Sequence, residues 1–156
     1  MRLRVGAWLQ KVLHGRQPAG ALQRIHMHLL ETPYQRVWAD RAFPEGVVRY
    51  LADIGFLSSR TTLAHCTHAR PEELDLIAQH GARIVTNFSS NLHLHSGLAP
   101  IADAWRRGCA VAVGTDGLAL DEDDDALREM RLVQMAQVLP GKVNGILRTI
   151  LIWLMM

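Results

Sequence analysis

Short apolar runs of strand type alternate with segments of helical type along the middle of this chain, and this alternation restricts the fold more than any other feature. The strand-like runs are apolar almost throughout, as strands buried on both faces of a sheet are. The helix-like segments show helical spacing of apolar residues, or begin with proline or acidic residues and end before glycine. We predict strands at 24–30, 61–66, 82–87 and 110–114, and helices at 44–57, 71–80, 100–107 and 124–137.

The order β-α-β-α-β-α-β-α predicts an α/β fold with a parallel sheet and right-handed crossovers. Two architectures remain open: a doubly wound open sheet, or part of a (β/α)8 barrel. A doubly wound sheet usually binds a nucleotide through a glycine-rich turn after its first strand, whereas here the first strand runs into His-Leu-Leu-Glu-Thr-Pro. A complete barrel takes about 250 residues. Four βα units in 156 residues amount to half of one.

Composition excludes several classes of protein. With 49% hydrophobic and 21% charged residues, the chain has the balance of a folded domain, not of a disordered or low-complexity segment. A net charge of +2 gives no reason to expect nucleic acid or membrane as a partner. The apolar run at 146–156 is far shorter than the roughly 20 residues that cross a bilayer. Two cysteines, Cys66 and Cys109, cannot make a disulfide framework, so we expect a cytoplasmic location.

Residues of catalytic type follow the predicted strands at their carboxyl ends. His28 and Glu31 stand at the end of the first strand, His65 at the second, and Asp116 after the fourth, within Gly-Thr-Asp-Gly. In a barrel this end of the strands carries the active site. Imidazoles and a carboxylate that converge there are the ingredients of a hydrolytic metal site, which lowers the pKa of a bound water to about 7. Glu31 is placed to transfer protons at such a site.

Four ordered segments resemble the amidohydrolase superfamily, in its branch of cytosine-deaminase-like and chlorohydrolase-like metal-dependent hydrolases. They are His-Leu-Leu-Glu-Thr at 28–32, Leu-Ala-His-Cys-Thr-His at 63–68, Ser-Asn-Leu followed by Ser-Gly and Pro within 90–100, and Val-Gly-Thr-Asp-Gly at 113–117. In that family such segments follow the fifth to the eighth barrel strands. The resemblance covers 24–137 and implies the C-terminal half of a TIM-type barrel, about four βα units.

The same resemblance implies roles for individual residues. His28, His65 and Asp116 would bind a divalent metal, zinc in first place and iron in second, with no other cofactor. Glu31, His65 and Asp116 would be catalytic: His65 polarises the substrate, Asp116 takes a proton from water, and Glu31 protonates the leaving or ring nitrogen. The implied reaction is hydrolysis of a carbon-nitrogen bond other than a peptide bond. It would be deaminase-like or chlorohydrolase-like and act on a small aromatic or heterocyclic substrate.

The chain departs from the family at both ends. Family members carry an earlier His-x-His pair, on the first barrel strand, that supplies two more metal ligands. Here the only such spacing before the second predicted strand is His26-Met27-His28, which its trailing Leu-Leu-Glu-Thr places on the fifth strand. We therefore divide the chain into a partial barrel at 1–137 and an unmatched hydrophobic tail at 138–156.

These departures leave other functions open. The main alternative is an inactive half-barrel fragment without the first-strand ligands, and a third is an open α/β domain that binds a metal or another ligand. A half barrel has two unpaired sheet edges, which favour self-association.

The remaining polar residues near the site have more ordinary interpretations. We expect His26 to point away from His28. His68, His93 and His95 are expected in loops, with the last two exposed, and Cys66 as a buried, inert strand cysteine. The loop at 118–123 is expected to face the substrate.

Overall fold

The computed structural model describes residues 24–117 and 125–137. These residues form one four-stranded parallel sheet with helices between the strands. The strands are β1 (Ile25–Leu29), β2 (Thr61–His65), β3 (Arg83–Thr86) and β4 (Ala110–Val113). The helices are α1 (Pro33–Ala42), α2 (Val47–Asp53), α3 (Pro71–Gln79), α4 (Phe88–His93), α5 (Ile101–Arg106) and α6 (Ala126–Ala136). The predicted loop at 118–123 and the predicted tail at 138–156 lie outside the described residues.

The order of the strands decides between the two architectures that the sequence left open. Each strand pairs in parallel with the next one along the chain, in the order β1-β2-β3-β4. A doubly wound sheet reverses its strand order at a switch point, and the described sheet contains no such reversal. Sequential parallel strands joined through helices are the arrangement of a (β/α)8 barrel. The predicted partial barrel of about four βα units is confirmed.

Local capping fixes where the helices that follow two strands begin. At the start of α1, the Thr32 hydroxyl accepts a hydrogen bond from the Gln35 backbone N–H at 3.2 Å, and Pro33 occupies the first turn. At the start of α6, the Asp125 carboxylate accepts hydrogen bonds from the N–H groups of Leu127 and Arg128. Such caps satisfy the amide groups that a helix leaves without partners at its N-terminus.

The core lies between the sheet and its helices. Leu63 of β2 and Ile84 of β3 are fully buried, as are Val48 of α2 and Ile77 of α3. Each such side chain stabilises the fold by about 1.5–3 kcal/mol through its removal from water. Within the described part of the chain, no helix is both long and apolar enough to span a membrane.

Two helices lie where the sequence predicted none, and a third is shorter than predicted. Helix α1 was not predicted, and α4 lies where a loop was expected, so that His93 ends a short helix while His95 does lie in a loop. Both of these histidines are exposed, as expected. The predicted helix at 44–57 is shorter, because α2 ends at Asp53 and the chain turns at Gly55, whose φ of 72° is in the left-handed region.

Candidate metal centre

Three side chains from separate parts of the chain meet at the carboxyl end of the sheet. His28 lies on β1, His65 is the last residue of β2, and Asp116 follows β4. His65 and Asp116 both have a φ of 69°. Left-handed backbone is uncommon outside glycine, costs about 1–3 kcal/mol, and is concentrated at functional sites. The chain therefore holds two of these three residues in strained backbone.

The donor atoms of this cluster are close enough to share one ion. One ligand atom from each of His28, His65 and Asp116 lies within 4.8 Å of the other two. His28 Nε2 is 3.8 Å from Asp116 Oδ1, and His65 Nε2 is 3.9 Å from Asp116 Oδ2. Bonds of about 2.0–2.2 Å to a tetrahedral zinc ion would hold such atoms roughly 3.4 Å apart. The two histidine–aspartate distances lie close to that spacing, and no pair of ligand atoms in the cluster is farther apart than 4.8 Å.

The tautomer of His65 leaves its other nitrogen ready to bind a cation. Nδ1 of His65 lies 2.9 Å from Oδ1 of Asn91, and both side chains are buried. An amide oxygen only accepts, so Nδ1 carries the proton and donates it, and Nε2 keeps its lone pair. That Nε2 atom is buried and has no hydrogen-bond partner among the described residues. An unsatisfied buried polar atom costs about 1–3 kcal/mol, so an orphaned nitrogen beside carboxylates fits a metal ligand.

Three consecutive polar residues of α4 make hydrogen bonds beside the cluster, and two of them contact members of the cluster directly. Asn91 accepts from His65, and the Ser90 hydroxyl donates to Asp116 Oδ2 at 2.6 Å. The Ser89 backbone N–H donates to Glu129 Oε2 of α6 at 3.1 Å, and its hydroxyl donates to the other oxygen of that carboxylate. Metal-binding side chains are commonly oriented by such outer hydrogen bonds. The sequence analysis predicted none of these hydrogen bonds. The feature of the sequence that could have indicated them is the run Ser-Ser-Asn at 89–91, shortly after β3.

Glu31 stands at the edge of the same cluster. Its Oε2 lies 3.9 Å from His65 Nε2, and its backbone N–H donates to Oε1 of Gln35 at 2.8 Å. The preceding residue, Leu30, has a φ of 52°, so the chain turns immediately after β1. The structure thus brings all four sequence-predicted site residues together. Their division into metal ligands and proton carriers stays a prediction.

His26 is not where the sequence analysis placed it. Its ring lies 6.2 Å from the His28 ring, centroid to centroid, at 77°, and both residues are exposed. Residues two apart in a regular strand share a face, and β1 is regular here, pairing residue by residue with β2. The expectation that His26 points away from His28 is therefore wrong.

The cysteines and His68 have structural surroundings. Burial raises the pKa of the Cys66 thiol, and burial raises the pKa of Cys109 to about 11. A thiol with a raised pKa is a poor nucleophile. Cys66 is buried, as expected, but it lies one residue past β2 and not in the strand. His68 lies outside the regular elements, as expected, and its Nε2 donates to the Ser96 carbonyl at 2.8 Å.

Gly114 lets the chain pass close to the end of β3 before it reaches Asp116. A Cβ atom at this position would lie 2.6 Å from Asn87 Oδ1 and 2.9 Å from Val85 Cγ1. Both distances are shorter than a side chain tolerates, so only glycine fits without a shift of these neighbours.

Parallel strands in barrel order, with imidazoles and carboxylates converging at their carboxyl ends, define the class of metal-dependent barrel hydrolases. A comparison with protein families is consistent with this class. The profile of the amidohydrolase family matches residues 23–147 of this chain. The chain belongs to the amidohydrolase family. The matched region ends inside the segment separated above as a tail at 138–156, and that division stays a prediction.

Several curated proteins are similar in sequence. A 5'-deoxyadenosine deaminase of Methanothermobacter thermautotrophicus is 36% identical over 120 residues, which is 77% of this chain and 27% of that protein. A 5-methylthioadenosine/S-adenosylhomocysteine deaminase of Nitratidesulfovibrio vulgaris is 37% identical over 106 residues, 68% of this chain and 24% of that protein. The chain thus spans 27% or less of the length of these two relatives.

Solved structures agree with the fold. An adenosine deaminase from Xanthomonas campestris with bound zinc has a TM-score of 0.70 and 26% identity, over 84% of this chain and 28% of that one. An atrazine chlorohydrolase from Arthrobacter aurescens in complex with zinc has a TM-score of 0.67 and 28% identity, over 88% of this chain and 28% of that one.

Proposed function

We propose that this chain carries the metal-binding and proton-transferring residues of a hydrolase that deaminates a small heterocyclic amine. One observation carries the proposal: the buried, unpartnered Nε2 of His65 faces the carboxylates of Glu31 and Asp116 beside His28. Two imidazoles and a carboxylate form a donor set that suits zinc. Zinc in two similar solved structures supports the choice of this metal over iron.

The residues of the site divide into ligands and proton carriers. His28, His65 and Asp116 would hold the ion, which when bound supplies Lewis-acid activation of water. Asp116, fixed by Ser90 through Oδ2, takes a proton from the attacking water. The water oxygen bonds to the ring carbon that bears the amino group. Glu31, which starts protonated, gives its proton to the ring nitrogen, and the proton that Asp116 took from water passes to the amino nitrogen. The carbon-nitrogen bond then breaks, ammonia leaves, and Glu31 takes the hydroxyl proton as the carbonyl forms.

The similar deaminases point to the substrate class. Their names specify 5'-deoxyadenosine, 5-methylthioadenosine and S-adenosylhomocysteine, so we propose an adenine nucleoside modified at its 5' position. The chlorohydrolase among the similar structures supports a second candidate, displacement of halide from a heteroaromatic ring by the same residues. The comparisons give no support to the inactive-fragment alternative, and the test below keeps it as an outcome.

The cysteines, the net charge and the edges of the sheet support proposals for the location of the protein and for its partners. Both cysteines are free and buried, which supports a cytoplasmic location with reduced thiols. A net charge of +2 supports neither a nucleic-acid nor a membrane partner. The edges of β1 and β4 that have no strand partner in the described sheet support self-association.

Zinc binding and ammonia release, measured on the same preparation, test the proposed function. The 156-residue chain is stripped of metal, dialysed against zinc, analysed for metal content and incubated with 5'-deoxyadenosine. We expect one zinc per chain, ammonia release, and loss of both in a His28→Ala/Asp116→Asn double variant. Zinc that persists in the double variant contradicts the ligand assignment. A folded, zinc-loaded chain that releases no ammonia from nucleosides and no halide from chlorinated triazines supports the inactive alternative.

A further inference from the structure

A buried carboxylate on α6 holds the start of α4. Glu129 is fully buried. Its Oε2 accepts a hydrogen bond from the Ser89 backbone N–H at 3.1 Å, and its Oε1 accepts one from the Ser89 hydroxyl. Asn87, which precedes α4, makes no side-chain hydrogen bond to the first turn. Glu129 therefore satisfies, from another helix, an amide group that the first turn of α4 leaves without an intrahelical partner.

Helix α6 is also fixed at its other end. Gln137, which follows α6, accepts a hydrogen bond from the Ala102 backbone N–H at 3.2 Å and donates one to the Ala99 carbonyl at 3.0 Å. Between the two ends of α6, Val133 is buried in the core. Helix α6 is thus tied both to the start of α4 and to the start of α5, and its own position is well determined.

The contact at Ser89 restricts how α4 can rotate about its axis. Successive residues of a helix point about 100° apart, so three consecutive residues face three directions. In α4 each of the three has a partner in a different segment of the chain: Glu129 for Ser89, Asp116 for Ser90 and His65 for Asn91. A rotation of α4 that displaces Ser89 from its partner also displaces the groups that orient His65 and Asp116.

We propose that Glu129 is a positioning residue for the metal site, which acts by fixing the rotation of α4 and not by touching the ion. The inference rests on the proposed metal site and deepens it. Glu129 is not among the residues whose donor atoms could share an ion. With Glu129 in place, Ser90 and Asn91 reach Asp116 and His65. Without it, α4 loses the contact that selects this rotation, and the two proposed ligands lose their orientation.

Zinc affinity of folded variants tests this role. Glu129→Met keeps the length of the side chain and removes both carboxylate oxygens, so we expect zinc to bind about tenfold more weakly, at the low end of the effect of orienting hydrogen bonds. Glu129→Gln keeps an oxygen for the Ser89 N–H, and its amide donates to the Ser89 hydroxyl, so it should retain most of the affinity. Val133→Ala, one turn later on the same face of α6, loosens the core and should leave zinc affinity unchanged.

Competition with a chromogenic chelator measures these affinities, and circular dichroism confirms folding. Full zinc affinity in a folded Glu129→Met variant overturns the proposal. An equal loss in Glu129→Gln also overturns it, because the effect would then come from the buried charge. An equal loss in Val133→Ala overturns it as well, because the effect would then come from weaker packing.

The loss must also depend on the two residues of α4 that contact the cluster. In a Ser90→Ala/Asn91→Leu chain, adding Glu129→Met is expected to cause little further loss of zinc affinity, since residues that act through one another are not additive. A further tenfold loss in that chain would mean that Glu129 acts by another route and overturns the proposal.

A measurement without zinc separates the role of Glu129 from the proposed metal site. In the metal-free chain, the Nδ1–H proton of His65 is buried and bonded to Asn91, so its NMR signal should exchange slowly with water. Asn91→Leu identifies this signal by its loss. Glu129→Met is expected to speed the exchange at least tenfold, and Glu129→Gln to preserve it. Unchanged exchange in Glu129→Met overturns the proposal, whereas the expected exchange in a chain that binds no zinc contradicts the metal site and not the positioning of His65.

Discussion

At the scale of single residues, the proposed site depends on the hydrogen bonds that orient His65 and Asp116 as much as on the proposed ligands themselves. His65 offers Nε2 to the cluster because Nδ1 donates to Asn91. Asp116 presents Oδ1 toward His28 because Ser90 occupies Oδ2. Two consecutive residues of α4 therefore set which atoms of His65 and Asp116 remain available to an ion.

Replacing Asn91 tests this orienting role. Asn91→Leu removes the acceptor for Nδ1, so we expect zinc affinity to fall about 10- to 100-fold, as for other outer-shell changes. Asn91→Asp keeps an oxygen acceptor at the same place and is expected to retain most of the affinity. Competition with a chromogenic chelator measures both variants, with circular dichroism to confirm folding. Equal zinc affinity in Asn91→Leu and the wild type would show that Asn91 does not orient His65.

Glu31 is predicted to move protons and not to bind the ion. Its closest approach to His65 Nε2 is 3.9 Å. Glu31→Gln keeps the shape and removes the proton-transferring group, so we expect zinc content to be unchanged and ammonia release to fall about 10²- to 10⁴-fold. Glu45→Gln, at an exposed carboxylate outside the cluster, is the control and should alter neither quantity. A parallel loss of zinc in Glu31→Gln would make Glu31 a ligand.

At the scale of elements, the strands were predictable to within one residue at each end, and two helices were not. The apolar and β-branched residues of β2, β3 and β4 favour strands, and the alternation of these short segments with helical ones supported the assignment. Helix α1 places Tyr34, Val37 and Trp38 in solvent, so its apolar residues do not form a single inward stripe. Helix α4 buries Ser90 and Asn91 against the site, and buried polar residues give a loop-like pattern.

The same limit applies to the site. His28, Glu31, His65 and Asp116 were predictable because strand ends converge in a parallel sheet and because their order resembles a known family. The hydrogen bonds from α4 were not predictable, since they depend on how that helix packs against β2 and the chain after β4. The sequence could not show on which face of the sheet His26 lies, because that depends on whether β1 is a regular strand, and only the structure shows that it is.

Helices α1 and α3 are joined by a largely buried ion pair. Arg36 Nη1 donates to both oxygens of Glu73, at 2.9 and 2.8 Å, and the Arg70 backbone N–H donates to the same carboxylate at 2.8 Å. Glu73→Gln leaves the Arg36 guanidinium with the carboxylate of Asp40, on its own helix, as its countercharge. We therefore expect the free energy of unfolding to fall by about 1–3 kcal/mol. Urea denaturation measures this loss.

An exposed ion pair between Asp75 of α3 and Arg107, which follows α5, provides the matched control. Asp75 accepts two hydrogen bonds from Arg107 Nη1, each at 2.8 Å, but its side chain is mostly exposed. Asp75→Asn should therefore cost less than about 1 kcal/mol. Similar losses in Asp75→Asn and Glu73→Gln would mean that burial does not distinguish the two pairs.

At the scale of the whole molecule, the cluster joins parts of the chain that are distant in sequence. His28, His65 and Asp116 come from β1, the end of β2 and the segment after β4. An ion bound to all three bridges the described sheet from one edge to the other. Metal binding at this proposed site would be coupled to folding, because the unfolded chain does not hold these side chains together.

This coupling predicts that zinc raises the melting temperature. At a free zinc concentration of about 100 Kd, binding to the folded state adds about 2.7 kcal/mol. For a chain of this size that corresponds to a rise of about 5–10 °C. Differential scanning calorimetry with and without zinc measures the shift, and the His28→Ala/Asp116→Asn variant should show none. If the shift persists in this variant, the stabilisation comes from zinc bound to other groups, such as the thiols of Cys66 and Cys109. Zinc would then not bind at the strand ends, where the proposed reaction requires it.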